Sequence, residues 1–213
     1  MARFKIPTLA LAATAGALLL LGAGLAVTPF TGGGSRLAPS GSASAAAPAA
    51  IGGPFKLASS KGGTLSDQDL KGAPFAIFFG FTHCPEICPT SLWEMSESLK
   101  RLGPEADKLK VLFVTVDPER DTPEILARYL QSFDPRIIGL SGSQKEMEAA
   151  AKAYRVYWRK VPTSDGDYTM DHTALIYLMD AKGGYEGFIA YKDDEATRDR
   201  KLRELLAKSA GPS

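Results

Sequence analysis

The run Phe75-Ala76-Ile77-Phe78-Phe79-Gly80-Phe81 is apolar at every position and stops just short of Cys84. Such a run is expected of a strand covered on both faces, as in a parallel sheet flanked by helices. Leu92, Met95, Leu99 and Leu102 then recur at helical spacing, until Gly103-Pro104 ends the pattern. The chain therefore passes from a buried strand through a short loop into an amphipathic helix. That loop carries Cys84-Pro85-Glu86-Ile87-Cys88, which holds both cysteines of the 213-residue chain. Residues i and i+4 are neighbours on a helix, so one turn brings both sulfurs to one side. Pro89 suits the first helical position, where a missing N–H costs nothing. The partial positive charge of a helix N-terminus would then favour the thiolate at Cys88. A structural disulfide between such near neighbours closes a tiny loop and stabilises little. The pair points to metal or redox chemistry.

The remaining pattern alternates strands and helices. Phe55-Lys56-Leu57 and Thr64-Leu65 flank Gly62-Gly63 as a small hairpin. Val111–Val116 reads as a second buried strand. A helix follows from Pro123 to Phe133, with Thr122 as N-cap and Ile125, Leu126, Tyr129 and Leu130 inward. Ile137–Leu140 is a short strand and Ser143–Tyr154 a helix. Arg155–Val161 extends or pairs as an edge strand before the Ser164-Asp165-Gly166 turn. Thr173–Met179 and Gly187–Tyr191 are strands joined through Gly183-Gly184, and Asp194–Lys208 is a last helix burying Leu202, Leu205 and Leu206. This order describes an α/β, thioredoxin-like fold with an N-terminal hairpin extension and an inserted segment. Sites in open α/β sheets form at the carboxyl ends of strands, where Cys84, Cys88 and Asp117 all fall.

The N-terminal quarter has a different character. Arg3 and Lys5 precede an uncharged, mostly apolar stretch from Ile6 to Phe30, centred on Leu18-Leu19-Leu20-Leu21. That exceeds the apolar core of a cleaved signal and matches the ~20 residues needed to cross a bilayer. The expectation is a single transmembrane helix within residues 1–30, its basic end cytoplasmic and the rest of the chain on the outer, periplasmic side of the inner membrane. A cleaved signal is the rival reading, with Ala45-Ala46-Ala47 as the place to cut, although it lies far from the apolar run. With no third cysteine, lipoprotein acylation has no site. Residues 31–53, almost all Gly, Ser, Ala and Pro, read as a flexible tether, 54–208 as the folded domain and 209–213 as a tail. Arg3, Lys5 and Arg36 are the only charges before Lys56. Setting those three aside from the 25 basic residues leaves 22 against 24 acidic ones, a balance that does not point to nucleic acid.

The two histidines are His83 and His172. His172 sits in Met170-Asp171-His172-Thr173, on a loop leading into the strand that ends at Met179. In a thioredoxin-like fold this loop lies against the cysteine loop, so His172 is either a ligand there or a hydrogen-bonded loop residue. Three segments carry a resemblance: Phe81-Thr82-His83-Cys84-Pro85-Glu86-Ile87-Cys88-Pro89-Thr90-Ser91-Leu92, Val114-Thr115-Val116-Asp117-Pro118-Glu119-Arg120-Asp121-Thr122-Pro123 and Asp171-His172-Thr173-Ala174-Leu175-Ile176-Tyr177. Together and in this order they closely resemble the SCO/SenC family of membrane-tethered copper chaperones for cytochrome c oxidase assembly, over roughly Pro54 to Leu206.

The resemblance implies copper, one ion per domain, held by Cys84, Cys88 and His172. It implies as partner the copper-centre subunit of cytochrome c oxidase, with a separate copper donor protein as a further candidate. The implied role is copper delivery, which is not enzymatic. The alternative is a thiol–disulfide oxidoreductase in which Cys84 and Cys88 form a redox disulfide, reducing the acceptor's cysteines or sensing redox state. Two thiolates and one imidazole make a soft set suited to copper, whereas structural zinc wants four protein ligands. A peroxidase would need a threonine and arginine pattern that is not found. Of the neighbours, His83 is a weaker candidate ligand, since adjacent side chains rarely converge on one ion. Asp171 either orients His172 or caps the turn. Asp117, Glu119 and Asp121 read as turn and helix-start residues, with partner docking as the other role. Met170 reads as a packing residue, and Tyr157 and Trp158 as an exposed edge or as core.

Overall fold

The computed structural model describes residues 50–209. β1 (Lys56–Ser59) and β2 (Thr64–Ser66) form the expected hairpin, and Gly62 and Gly63 take the left-handed backbone it requires, with φ of 91° and 70°. β3 (Phe75–Gly80) is buried at every residue. It leads through the cysteine loop into α1 (Ile87–Leu102), which continues past Gly103 as a 3₁₀ turn over Gly103–Lys108. β4 (Lys110–Thr115), α2 (Pro123–Leu130) and β5 (Ile137–Ser141) complete a βαβαβ unit with β3, β4 and β5 parallel. α3 (Gln144–Ala153) is followed by β6 (Trp158–Pro162) and β7 (Tyr168–His172), then by β8 (Leu175–Met179), β9 (Tyr185–Ala190) and α4 (Glu195–Ser209).

Seven strands form one sheet in the order β2-β1-β5-β4-β3-β8-β9, while β6 and β7 pair only with each other. β3 and β4 lie centrally because they have no polar face to offer water: Phe79, Leu112 and Phe113 are fully buried. Local signals set the ends of the helices. The Thr122 side chain accepts from the Ile125 N–H at the start of α2, and Ser143 and Glu146 make a reciprocal capping box on α3. At the far end of α3, Arg155 takes a left-handed backbone (φ 55°) and the Val156 N–H returns to the Ala151 carbonyl at 2.8 Å. This C-cap turns the chain out into the β6–β7 hairpin.

Four expectations need correction. α1 begins at Ile87, so Pro89 is its third residue, still among the four whose N–H groups lack intrahelical partners. α2 ends at Leu130, and the segment to Phe133 is tight turns. The inserted segment is a full hairpin: 168–172, read from sequence as loop, is its second strand, because β6 gives it a partner at every position from Trp158↔His172 to Pro162↔Tyr168. Finally, the fold takes in the last residues assigned to the tether. Ile51 packs on the core and the Gly52 N–H donates to the Ala153 carbonyl at 3.0 Å. The membrane span expected within residues 1–30 and most of the tether lie outside the described residues, as do residues 210–213. Among the described residues no helix is long and apolar enough to cross a membrane.

Gly80 is the tightest point of the sheet beside the site. A β-carbon there would sit 2.6 Å from Cε2 of Phe113 and 2.8 Å from Sγ of Cys88. Gly80→Ala should therefore cost about 1–3 kcal/mol through overpacking, measured as a lowered urea midpoint with an unchanged slope.

Candidate metal centre

β3 ends at Gly80 and the loop after it lifts Cys84 half into solvent, while the first turn of α1 carries Cys88 inward to full burial. Gly80 makes the room that the Cys88 sulfur occupies. The Cys88 N–H donates to Sγ of Cys84 at 3.3 Å, so the Cys84 sulfur caps the free N-terminus of α1. His172 arrives from the end of β7. Its Nε2 lies 3.6 Å from Sγ of Cys88, and its Nδ1 lies 3.1 Å from the Thr173 carbonyl. The imidazole meets Phe81 edge-on, with ring centroids 5.8 Å apart, and Phe78 at 6.2 Å. One donor atom from each of Cys84, Cys88 and His172 falls within 4.8 Å of the others, and among the described residues this is the one such cluster of His, Cys, Asp and Glu.

The two thiols are unequal. Cys84 is held down to about 4, chiefly by the hydrogen bond from Cys88. Partial burial opposes that shift, and His172 together with the backbone N–H groups of Cys88 and Glu86 adds to it. Cys88 is pushed strongly up, first by its burial and then by the neighbouring Cys84 sulfur. This reverses the sequence expectation, which put the thiolate on Cys88. The helix N-terminus does favour a thiolate, but the sulfur that reaches it with water alongside is that of Cys84.

The cysteine loop is braced by a residue that sequence reading assigned to a turn. Asp121 is fully buried, and its carboxylate accepts from the Thr82 N–H at 2.9 Å, the Thr82 hydroxyl at 2.5 Å and the Thr115 hydroxyl at 2.7 Å. Asp117, also buried, accepts from Arg120 and from the Tyr168 hydroxyl, and Glu119 pairs with Lys160 at 2.7 Å. None of these three carboxylates joins the cluster of potential ligands. Asp171 pairs with Arg159 at 2.7 Å, leaving the Thr173 carbonyl to orient the His172 ring. His83 is exposed, its Nδ1 3.1 Å from the Thr82 hydroxyl, and stays outside the cluster. Met170 is buried in the core, Trp158 packs partly against it, and Tyr157 stands 57% exposed. Tyr157, with Pro85, Glu86, Ile87 and Asp171, lines an open cleft over Cys84 and His172.

The model of the SCO1/SenC family matches residues 43–207, well over half of the chain. The chain belongs to the SCO1/SenC family. Protein SenC of Rhodobacter capsulatus is 35% identical over 204 residues, covering 96% of this chain and 89% of that protein. Protein SCO1 homolog 1, mitochondrial, of Arabidopsis thaliana is 36% identical over 159 residues, 74% of this chain and 48% of that protein, so the chain spans about half the length of this SCO1 relative. The solved structure of Bradyrhizobium japonicum ScoI with copper bound is 52% identical, superposes with a TM-score of 0.69, and covers 73% of this chain and 99% of that one. The thioredoxin-like α/β fold read from the sequence is thus the SCO fold.

The unequal thiols predict a pH signature. Because the Cys84 pKa lies below its unfolded value, the reactive thiolate is already present above about pH 4. Alkylation of Cys84 should run at a nearly constant rate between about pH 6 and 8, whereas an ordinary thiol of pKa ~8.5 gains almost tenfold per unit. Cys88 should stay unmodified until the chain unfolds. Mass spectrometry of the alkylated chain checks both.

Proposed function

We propose that this chain binds one copper ion through Cys84, Cys88 and His172 and delivers it to the copper-centre subunit of cytochrome c oxidase during assembly. The observation that carries the reading is the convergence of three soft donors, two from one loop-to-helix junction and the third from a hairpin end 84 residues beyond Cys88. The donor set fits the metal. Two sulfurs and an imidazole suit copper, which heads the divalent affinity order, and three protein ligands fall one short of a closed zinc site. The copper-bound ScoI relative agrees.

In this reading the residues around the site divide the work. Cys84 enters coordination already deprotonated and faces the cleft, where an acceptor ligand can approach. Cys88 gives up its proton as metal binds, so affinity rises with pH. Phe78 and Phe81 hold the imidazole plane. Delivery is not enzymatic. A second reading is favoured by the unequal thiols: Cys84 attacks an acceptor disulfide, and Cys88, losing its proton, then attacks the Cys84 sulfur, releasing the acceptor as a dithiol and leaving a Cys84–Cys88 disulfide.

The reduced 213-residue chain should take up one copper. Cys84→Ser, Cys88→Ser and His172→Ala should each weaken binding by more than the roughly 10–100-fold lost with an outer-shell partner, while His83→Ala stays near wild type. Full-strength binding by the first three, measured by competition titration, would sink the site. In cells, His172→Ala separates the two readings. It removes a metal donor and leaves both thiols, so loss of oxidase assembly supports delivery and full assembly supports thiol exchange.

The membrane tether belongs to this proposal, because Arg3, Lys5 and the apolar stretch Ile6–Phe30 suit an anchor that holds the domain on the periplasmic side. Fractionation should find the chain in the membrane. A soluble form beginning near residue 48 would overturn the anchor.

A further inference from the structure

The hairpin that brings His172 to the cysteines makes no ladder with the main sheet. Among the described residues its polar side-chain contacts with the rest of the fold, the approach of His172 to Cys84 and Cys88 aside, go to the short loop between β4 and α2. The Arg120 guanidinium lies 3.7 Å from the centre of the Tyr168 ring and donates through Nη1 to the Tyr168 carbonyl at 3.0 Å. The Tyr168 hydroxyl donates to buried Asp117 at 2.9 Å, and Asp117 in turn holds Arg120. Lys160, on the partner strand, lies 4.0 Å from the same ring and pairs with Glu119. A cation on an aromatic face and a hydrogen bond to a charged group both strengthen when shielded from water, as Arg120 and Asp117 are here. These contacts therefore outweigh a typical surface ion pair.

Tyr168, Met170 and His172 alternate onto one face of β7, and Met170 between them is buried. β7 is paired with β6 at all five positions, so the hairpin moves as one piece. His172 stands four residues from Tyr168, about 13 Å along the strand. At the His172 end, the bonds between Tyr157 and Thr173 are internal to the hairpin and do not tie it to the sheet.

We propose that Arg120, Asp117 and Tyr168 are positioning residues for the metal centre: by clamping one end of the hairpin they set where His172 stands at the other, and so set copper affinity without touching the ion. The same loop holds the cysteine side through Asp121 and Thr82. One stretch of five residues thus registers both halves of the site. This inference rests on His172 being a copper ligand, and its test is arranged to separate the two.

Arg120→Gln removes the cation and its carbonyl bond, Tyr168→Phe removes only the hydroxyl bond to Asp117, and Arg120→Lys keeps the charge over the ring. Copper affinity of the reduced full chain is measured for each, alone and combined with His172→Ala. Arg120→Gln should weaken copper about 10–100-fold, the range for partners that orient a ligand. Tyr168→Phe should weaken it less, and Arg120→Lys should recover part of the loss. Beside His172→Ala, all three should change affinity by less than about twofold, since additivity fails only for residues acting through one another. In the metal-free chain, the His172 ring NMR shifts should move in Arg120→Gln while the Cys84 alkylation rate stays as in wild type. An affinity loss that persists undiminished beside His172→Ala overturns the clamp alone. So does wild-type affinity in both Arg120→Gln and Tyr168→Phe. Full copper affinity in His172→Ala overturns the ligand reading and the clamp with it. If Arg120→Gln fails to fold, Tyr168→Phe, which deletes a single oxygen, carries the test.

Discussion

The buried carboxylate of Asp121 is the interaction on which the arrangement of this domain turns. A charge taken out of water is costly unless its lone pairs are filled, and here they are filled by the Thr82 N–H and by the hydroxyls of Thr82 and Thr115. Its donors come from the loop after β3 and from the end of β4, so one group ties the cysteine loop to the neighbouring strand. The Asp121 carbonyl also accepts from buried Ser141 at the end of β5. Three parallel strands are thereby pinned together at their carboxyl ends, where the thiols are displayed.

Packing beneath that loop does the rest. Gly80 leaves space that the Cys88 sulfur and the Phe113 ring share, and Phe78 and Phe81 present their rings to His172. Burial decides the difference between the thiols. The sulfur placed in the core keeps its proton, and the one at the open helix end loses it. A four-residue spacing across a loop-to-helix junction creates this inequality, because it puts one cysteine before the helix and the other inside it.

Much of this was legible in the sequence, for definite reasons. Continuous apolar runs located β3 and β4, helical periodicity located α1, and glycine pairs located the hairpin turns. The three motif segments gave Cys84, Cys88 and His172 together. What escaped was contact between distant polar residues. Nothing local distinguishes Asp121, a buried brace, from Glu119, an exposed ion-pair partner two residues away. Strand β7 escaped because only Met170 on its inner face is fully buried, so the apolar signal is too weak to mark a strand, and its pairing comes from β6. Thr82 and Thr115 did carry a faint signal, as hydroxyl residues at the ends of otherwise apolar strands, where a buried acceptor needs donors.

The self-contained pairing of β6 with β7 has an evolutionary consequence. In a sheet, shifting one strand by a single residue turns its whole apolar face to water, so insertions within the main ladder are heavily penalised. The hairpin keeps a register of its own, separate from that of the seven-stranded sheet. Residues can be gained or lost at its Thr163–Asp167 turn without rotating a single core side chain. A change of length at that turn therefore leaves the main sheet and the dithiol it displays in place, while the strand from Tyr168 to His172 keeps its spacing.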